Sequence, residues 1–429
     1  GNPPYVRQEA LAPFKPYFAQ KYADVYHGAA DLYVYFSQQG LRLLRQGGRM
    51  AYIVTNKWLR SGYGEALRGY FATHAALEQI VDFGHAPLFP EADVFPCIVV
   101  LSRPDSAKPP DDQQVQITEF PREELGKTTL PRYVAEHSHS VPQQRFSSAA
   151  WSLETAEGDD LLAKIRAKGV PLSDFMGTKP YYGIKTGLNE AFLIDTPTRD
   201  HLVQSTPSCA EIIKPCLRGQ DIKRWSPEWA GVWMILLKSS SSYSWPWSAK
   251  SESEAETLFQ QTYPSLHAHM KPLEQQLRQR KNQGHYWWEL HACAYYTLFE
   301  NPKIITQDLA TYSWFCFDTT GLYAANTCYI YPSDDLYMLG CMSSPLMWWV
   351  AHHTLQRGIN GTLRMFREQV ETLPIAPPTD DIRAEVESVV ERLIVITKTT
   401  QQASRTMLDW LHVEFAIEKP GQKLADFAS

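Results

Sequence analysis

Four residues near the start of the chain, Asn2-Pro3-Pro4-Tyr5, have the types and spacing for chemistry on an aromatic amine. The exocyclic nitrogen of a base is a poor nucleophile because its lone pair is delocalised into the ring. Accepting hydrogen bonds from both amine protons draws that nitrogen toward tetrahedral geometry. Asn2 offers a side-chain carbonyl, and Pro3 offers a backbone carbonyl with no competing N–H of its own. Two consecutive prolines stiffen the loop, so both acceptors are set before a substrate arrives. Tyr5 supplies a flat face on which an extruded base can stack, with Pro4 beside it. Methylation of such an amine needs no general base, since the proton is lost after the transfer. Taken alone, the string also fits a Pro-rich turn with a tyrosine next to it.

The elements behind the loop bear on that choice. A loop of this kind belongs at the carboxyl edge of an α/β sheet, where ligands sit, and the next hundred residues alternate helix and strand as such a sheet requires. Ala30 to Leu44 carries apolar residues at helical spacing and stops at Gly47-Gly48. Met50 to Val54 reads as a buried strand, Glu65 to Phe71 as a helix, Leu77 to Phe83 as a strand and Cys97 to Leu101 as the last strand of this part. Arg103 to Asp112 is rich in proline and mixed charge, a linker pattern. From there to Trp151 the pattern suggests one strand and irregular connection, and Asp159 to Lys168 a short helix.

Between Val170 and Leu373 the pattern changes to short β-type runs punctuated by Gly, Pro and Ser, with helical stretches at Leu266 to Lys281 and Ser343 to Leu355. This reads as a separate α+β domain. Asp381 to Phe415 is a long amphipathic helical region, followed by a charged tail. The expected division is therefore 1–105, 106–168 as a connector, 169–376 and 377–429.

Composition narrows the class without naming it. The chain has 429 residues, 44% hydrophobic and 21% charged, which is ordinary for a globular protein with two or three cores. A net charge of −6 does not advertise a nucleic-acid binder, but local placement of Lys and Arg matters more than the sum. Seven cysteines with no C-x-x-C pair argue against a disulfide framework and a zinc site. They read as reduced thiols of a cytoplasmic protein. No apolar run reaches membrane-spanning length, and the N-terminus lacks a signal-peptide pattern.

The catalytic string and its surroundings resemble the second half of a gamma-class N6-adenine DNA methyltransferase catalytic domain of the Type IIG restriction–modification kind. Asp31-Leu32-Tyr33 with Phe36 match the helix that backs the active site in that family. Gly47 to Leu59 (GGRMAYIVTNKWL) match its next glycine turn, strand and loop. Leu88-Phe89-Pro90-Glu91-Ala92-Asp93-Val94 is similar to a later motif whose Phe packs on the target adenine, which implies that Phe89 closes a sandwich with Tyr5. Tyr182 to Phe192 (YGIKTGLNEAF) and Ile213 to Trp225 (IKPCLRGQDIKRW) resemble the family's target-recognition domain.

The resemblance implies the second half of a Rossmann-like sheet, then an α+β target-recognition domain and a C-terminal helical region. Asn2, Pro3 and Tyr5 would be catalytic, and Pro4 and Phe89 would bind the target base. Lys185, Arg218, Lys223 and Arg224, with Arg364 and Arg367 further on, could meet phosphates or base edges of double-stranded DNA. A solvated basic cluster, or arginines pinned by nearby acids, is the bland alternative for each of them.

The family's S-adenosyl-L-methionine site lies before the catalytic loop in this class. The upstream half of the same polypeptide is thus an expected partner, and the chain alone is expected to be inactive. Gly62-Tyr63-Gly64 does not follow a strand into a helix as a cofactor turn must. A nuclease site, Asp…(Asp/Glu)-x-Lys, is matched at Asp221-Ile222-Lys223 only inside the recognition signature and reads as coincidence; no metal is expected. The rival readings are an RNA or protein N-methyltransferase, and a DNA-binding module without catalysis.

Overall fold

The computed structural model describes residues 1–89, 94–106, 109–358 and 361–415. By internal contacts the chain forms two units, one of Gly1–Ala167 with Gln356–Thr362, the other of Lys168–Leu355 with Leu363 onward. Both mix helices with short sheets. Pro90–Asp93, within the Leu88–Val94 motif, and the tail after Phe415 lie outside the described residues.

The first unit is built on a five-stranded sheet, β1 (Arg49–Thr55), β2 (Ala76–Asp82), β3 (Pro96–Ser102), β4 (Gln114–Glu119) and β5 (His139–Pro142), in the spatial order β1-β3-β2-β4-β5. Antiparallel β3 fills the space between β1 and β2, while β2 and β4 run parallel. Helices Leu32–Leu43 and Glu65–His74 bury Tyr33, Val34, Leu41, Leu67 and Phe71 with Val54, Leu77, Ile80 and Val99 of the sheet. A smaller cluster of Val81, Phe83 and Phe120 packs with Leu130, Tyr133 and Val134 of helix Leu130–His137. Gly47 starts β1 from a left-handed backbone conformation, φ +65°, which a Cβ would disfavour. Its N–H donates to the Arg103 carbonyl at 2.9 Å, so the turn closes the β1–β3 ladder.

The stretch 106–168, expected as a connector, thus contributes β4 and β5 to the same sheet. The pattern suggests one strand in this stretch; the second, β5, is four residues long and ends at a proline, too short for periodicity to mark it. Gln143 joins them to the rest: its side chain accepts from Leu77 N at 2.8 Å and donates to the Ala75 carbonyl at 2.7 Å.

The second unit contains two four-stranded sheets. One orders Tyr323–Ala324, Ile213–Leu217, Trp233–Ile235 and Leu193–Ile194; the other orders Phe315–Asp318, Lys303–Gln307, Cys328–Tyr331 and Tyr181–Tyr182. The helix expected over Leu266–Lys281 is broken into Pro264–Met270, a tight turn at Lys271–Leu273, and Glu274–Arg278. Pro272 has no N–H to give and crowds the preceding turn. Glu252–Thr262, not expected, is a helix opened by a Ser251/Glu254 capping box. Trp287 and Trp288 are core. The long helix Asp380–Phe415 buries Val390 and Ile394 and is tied down by Arg383 to Asp335 at 2.8 Å.

Buried charges hold this unit's loops. Arg280 is buried and donates to the carbonyls of Leu277, Thr186, Trp287 and Glu289 at 2.7–3.0 Å; burial lowers its pKa to about 10. The Glu289 carboxylate is fully buried and accepts from the N–H groups of Ser240, His285 and Tyr286, the Ser240 hydroxyl and Trp247 Nε1. Lys303 Nζ meets Asp318 Oδ2 at 2.6 Å with both side chains within 1% of full burial.

Removing one member of a buried pair strands the other charge, whereas an exposed pair is worth little. Asp318→Ala should therefore lower unfolding stability by about 3–5 kcal/mol. Glu78→Ala, which breaks the exposed Arg49 pair, should cost less than about 1 kcal/mol. Urea unfolding of both variants checks the contrast.

Candidate functional site

The candidate catalytic loop begins on the outer edge of β1. Gly1 N donates to the Ala51 carbonyl, and Ile53 N donates to the Gly1 carbonyl at 3.0 Å. That bonding pattern is the parallel one, so Asn2–Tyr5 runs from beside Tyr52 toward the carboxyl end of β1. Pro3 is buried, whereas Asn2, Pro4 and Tyr5 are exposed. Tyr5 is 39% exposed; its hydroxyl donates to the Ile53 carbonyl at 3.3 Å and its ring lies 6.1 Å from that of Tyr33. Partial burial pushes the Tyr5 phenol up to about 12, with Cys97 adding to the rise, so it stays neutral at physiological pH.

The loop is tied to the helix behind it. Asp31 Oδ1 accepts from Gln8 N at 3.2 Å, and Leu32 N donates to the Val6 carbonyl at 3.1 Å. Desolvation is the first cause of a raised Asp31 pKa. Tyr33, fully buried, places its hydroxyl 3.0 Å from that of Tyr63. Phe36, on the same helix, is exposed.

Phe89 is half-buried at the last described position of its loop, and no ring contact with Tyr5 is among the described ones. At the other end of that loop Phe95 is buried. Its carbonyl accepts from Asn56 N at 2.6 Å and its ring lies 5.6 Å from Lys57 Nζ. Asn56 Nδ2 in turn donates to Asp82 Oδ1 at 2.8 Å, and Asp82 also accepts from Gly84 N at 2.9 Å. Sequence reasoning missed this Asp82 hub. Asn56 and Asp82 both stand at strand ends in segments already singled out, which is the signal that could have found them.

In the turn Gly62–Gly64, the first glycine has open space around it and the second is packed. A Cβ on Gly64 would lie 2.1 Å from the Trp58 carbonyl, so the glycine is needed for internal packing. No group of three or more His, Cys, Asp or Glu among the described residues could hold a metal. Asp221 is buried and committed to Arg218.

In the second unit the two recognition-like segments meet on one stretch of backbone. Gly183 N donates to Cys328 O at 2.9 Å, Ile184 N to Ala324 O at 2.7 Å, and Gly219 N to Thr327 Oγ1 at 2.9 Å. The loops bearing Lys185 and Arg218 therefore flank Ala324–Cys328 together. Close approach demands the glycine at 183, where a Cβ would sit 1.9 Å from the Ala325 carbonyl. Lys185 is exposed, its Nζ 5.2 Å from the Tyr182 ring centroid. Arg218 donates from Nε and Nη2 to Asp221, each at 3.1 Å.

The remaining cations are partly engaged. Lys223 Nζ lies 5.6 Å from the Trp314 ring centroid. Arg224 donates to Ser343 O at 2.7 Å and stacks on Trp225; desolvation lowers its pKa. Arg364 faces Asp308 at 3.4 Å, and Arg367 faces Glu368 at 3.1 Å. Trp225 holds φ +75°, a strained conformation for a bulky residue. It is fixed there by bonds with Phe315 O and Phe317 N at 2.8 and 3.1 Å.

Residues 1–89 match the family described as Eco57I restriction-modification methylase, and residues 379–429 match a domain of unknown function, DUF8810. The chain is 25% identical over 346 residues to Type II methyltransferase M.PaeR7I of Pseudomonas aeruginosa, covering 78% of this chain and 56% of that protein. It is 22% identical to Type II methyltransferase M.BstVI of Geobacillus stearothermophilus, covering 92% of this chain and 70% of that protein. The chain thus spans little more than half of the first of these relatives. In fold it is similar to the Type IIL restriction-modification enzyme MmeI, solved in complex with DNA, with a TM-score of 0.60 at 12% identity over 100% of this chain and 55% of that one. No described helix is long and apolar enough to cross a membrane.

Gly183→Ala should force the two cation-bearing loops apart. A loss of about 1–3 kcal/mol in thermal unfolding is the expected result.

Proposed function

We propose that this chain, whose residues 1–89 form an Eco57I-type restriction-modification methylase segment, is part of a site-specific DNA adenine N6-methyltransferase. The observation that carries this reading is the parallel pairing of Gly1 with β1, which directs Asn2–Tyr5 along the last residues of the strand toward the carboxyl edge of the sheet. There Asn2 is open to a ligand while Pro3 is packed below it. The carboxyl edge of an α/β sheet is where ligands bind.

In this reading Asn2 Oδ1 and the Pro3 carbonyl accept the two amine hydrogens of a flipped-out adenine, localising the nitrogen lone pair for attack. The neutral Tyr5 ring carries one face of the base, and Phe89 the other. Pro4 keeps the loop rigid. The methyl group comes from S-adenosyl-L-methionine. The sheet of the first unit is the second half of a Rossmann-like domain. The second unit reads DNA, with Lys185, Arg218, Lys223, Arg224, Arg364 and Arg367 as its contacts and 377–429 as a helical annex. The setting is a restriction–modification or phage-defence system.

The test is methylation of double-stranded DNA by the complete protein, with the product mapped at base resolution. N6-methyladenine at one sequence is expected; methylation of protein or RNA with none in DNA would refute the proposal. Asn2→Ala should reduce kcat by about 100-fold or more, as loss of one preorganised polar group does elsewhere, with DNA affinity retained. Lys185→Ala should weaken binding to all sequences alike and reduce the slope of log affinity against log salt by about 1, read by fluorescence anisotropy across a salt series.

A further inference from the structure

The chain leaves the second unit after Leu355, contributes Gln356–Thr362 to the first unit, and returns at Leu363. This excursion delivers one cation to the carboxyl edge of the five-stranded sheet. Arg357 Nη2 donates to Glu119 Oε1 at 2.9 Å, and its Nη1 lies 3.8 Å from Asp82 Oδ2. Glu119 and Asp82 are paired neighbours at the ends of parallel β4 and β2.

Asp82 is the reason this matters. Its side chain is only 4% exposed, and a buried carboxylate must be hydrogen-bonded and charge-balanced to keep its orientation. Oδ1 is used by Asn56 Nδ2 and Gly84 N. Oδ2 faces the Arg357 guanidinium. Gly84 adopts φ +53° with Arg357 Nη1 3.9 Å from where a Cβ would stand, so the turn after β2 is seated against this side chain. Arg60 and Glu154 contribute to the same electrostatic cluster.

We propose that Arg357 is a positioning residue: it orients Asp82, and through Asp82 fixes the loop that follows β1 at Asn56 and the loop that leads from Gly84 to Phe89. This rests on the reading of Asn2–Tyr5 as a base-binding loop with Phe89 on the other face of the base. A segment that interrupts the DNA-reading unit thereby sets the geometry around the reacting base.

The experiment compares wild type, Arg357→Gln and Arg357→Lys in the complete protein by three measurements. These are kcat and KM for DNA methylation, 2-aminopurine fluorescence at the target position, and amide hydrogen exchange. Arg357→Gln should lose kcat on the order of 100-fold, as small misplacements of reacting groups do, with KM for DNA little changed and the flipped-base fluorescence diminished. Exchange at the Asn56 and Gly84 amides should rise while that of β2 and β3 stays slow, and Arg357→Lys should recover part of both effects. Faster exchange throughout the sheet with a lowered melting temperature would make Arg357 merely structural and overturn the proposal. Unchanged exchange at Asn56 and Gly84 would overturn it too, as would altered exchange with normal kcat. If wild type methylates no DNA, the function proposed above fails by itself. The exchange arm still decides whether Arg357 orders these loops, and unaltered exchange there would again refute the idea.

Discussion

Everything proposed for the catalytic loop depends on a two-bond backbone pairing, Gly1 to Ala51 and Ile53 on the edge of β1. Two hydrogen bonds are weak in net terms, yet they fix a direction as well as a position. Because the pairing is parallel, the chain must run on toward the strand's carboxyl end. The prolines then allow few conformations until Tyr5 bonds back to Ile53. The helix starting at Leu32 closes the arrangement from behind through Val6 and Gln8. Stiffness in this site thus comes from covalent restriction, with only a few bonds to locate it.

Buried charge does the corresponding work elsewhere. Asp82, Glu289 and Arg280 each satisfy backbone or side-chain amide groups from separate loops that no sheet ladder reaches. Such a group costs desolvation energy, which is recovered only when all its partners are present together. Loops held this way lock cooperatively. That suits a protein whose proposed work is done by loops at sheet edges.

The basic residues of the second unit are less uniform than their sequence suggests. Arg218 is held by Asp221, and Arg364 and Arg367 face acids, while Lys185 is exposed. An arginine clamped by a carboxylate is pre-oriented but partly neutralised, so it suits a fixed contact more than a long-range pull. With a net charge of −6 the chain as a whole does not attract DNA. On the proposed function, affinity would have to come from the local face where the Lys185 and Arg218 loops converge.

The sequence by itself determined the local elements of the first hundred residues, because proline, glycine and apolar period act over a few residues. Each expected strand and helix from Ala30 to Leu101 is present within a few residues of its expected ends. It also carried the two recognition-like segments, whose glycines mark places where backbones must nearly touch. What it could not show is which distant segments those places touch. The pairing of β4 and β5 into the sheet, the burial of Arg280, and the convergence of Gly183 and Gly219 on Ala324–Cys328 are long-range choices made by packing. Arg357 is the extreme case: it stands 275 positions after Asp82 in the numbering, with no local pattern to mark it. Only the tertiary structure returns it to the sheet edge, because a buried carboxylate there requires a cation and the chain path supplies one.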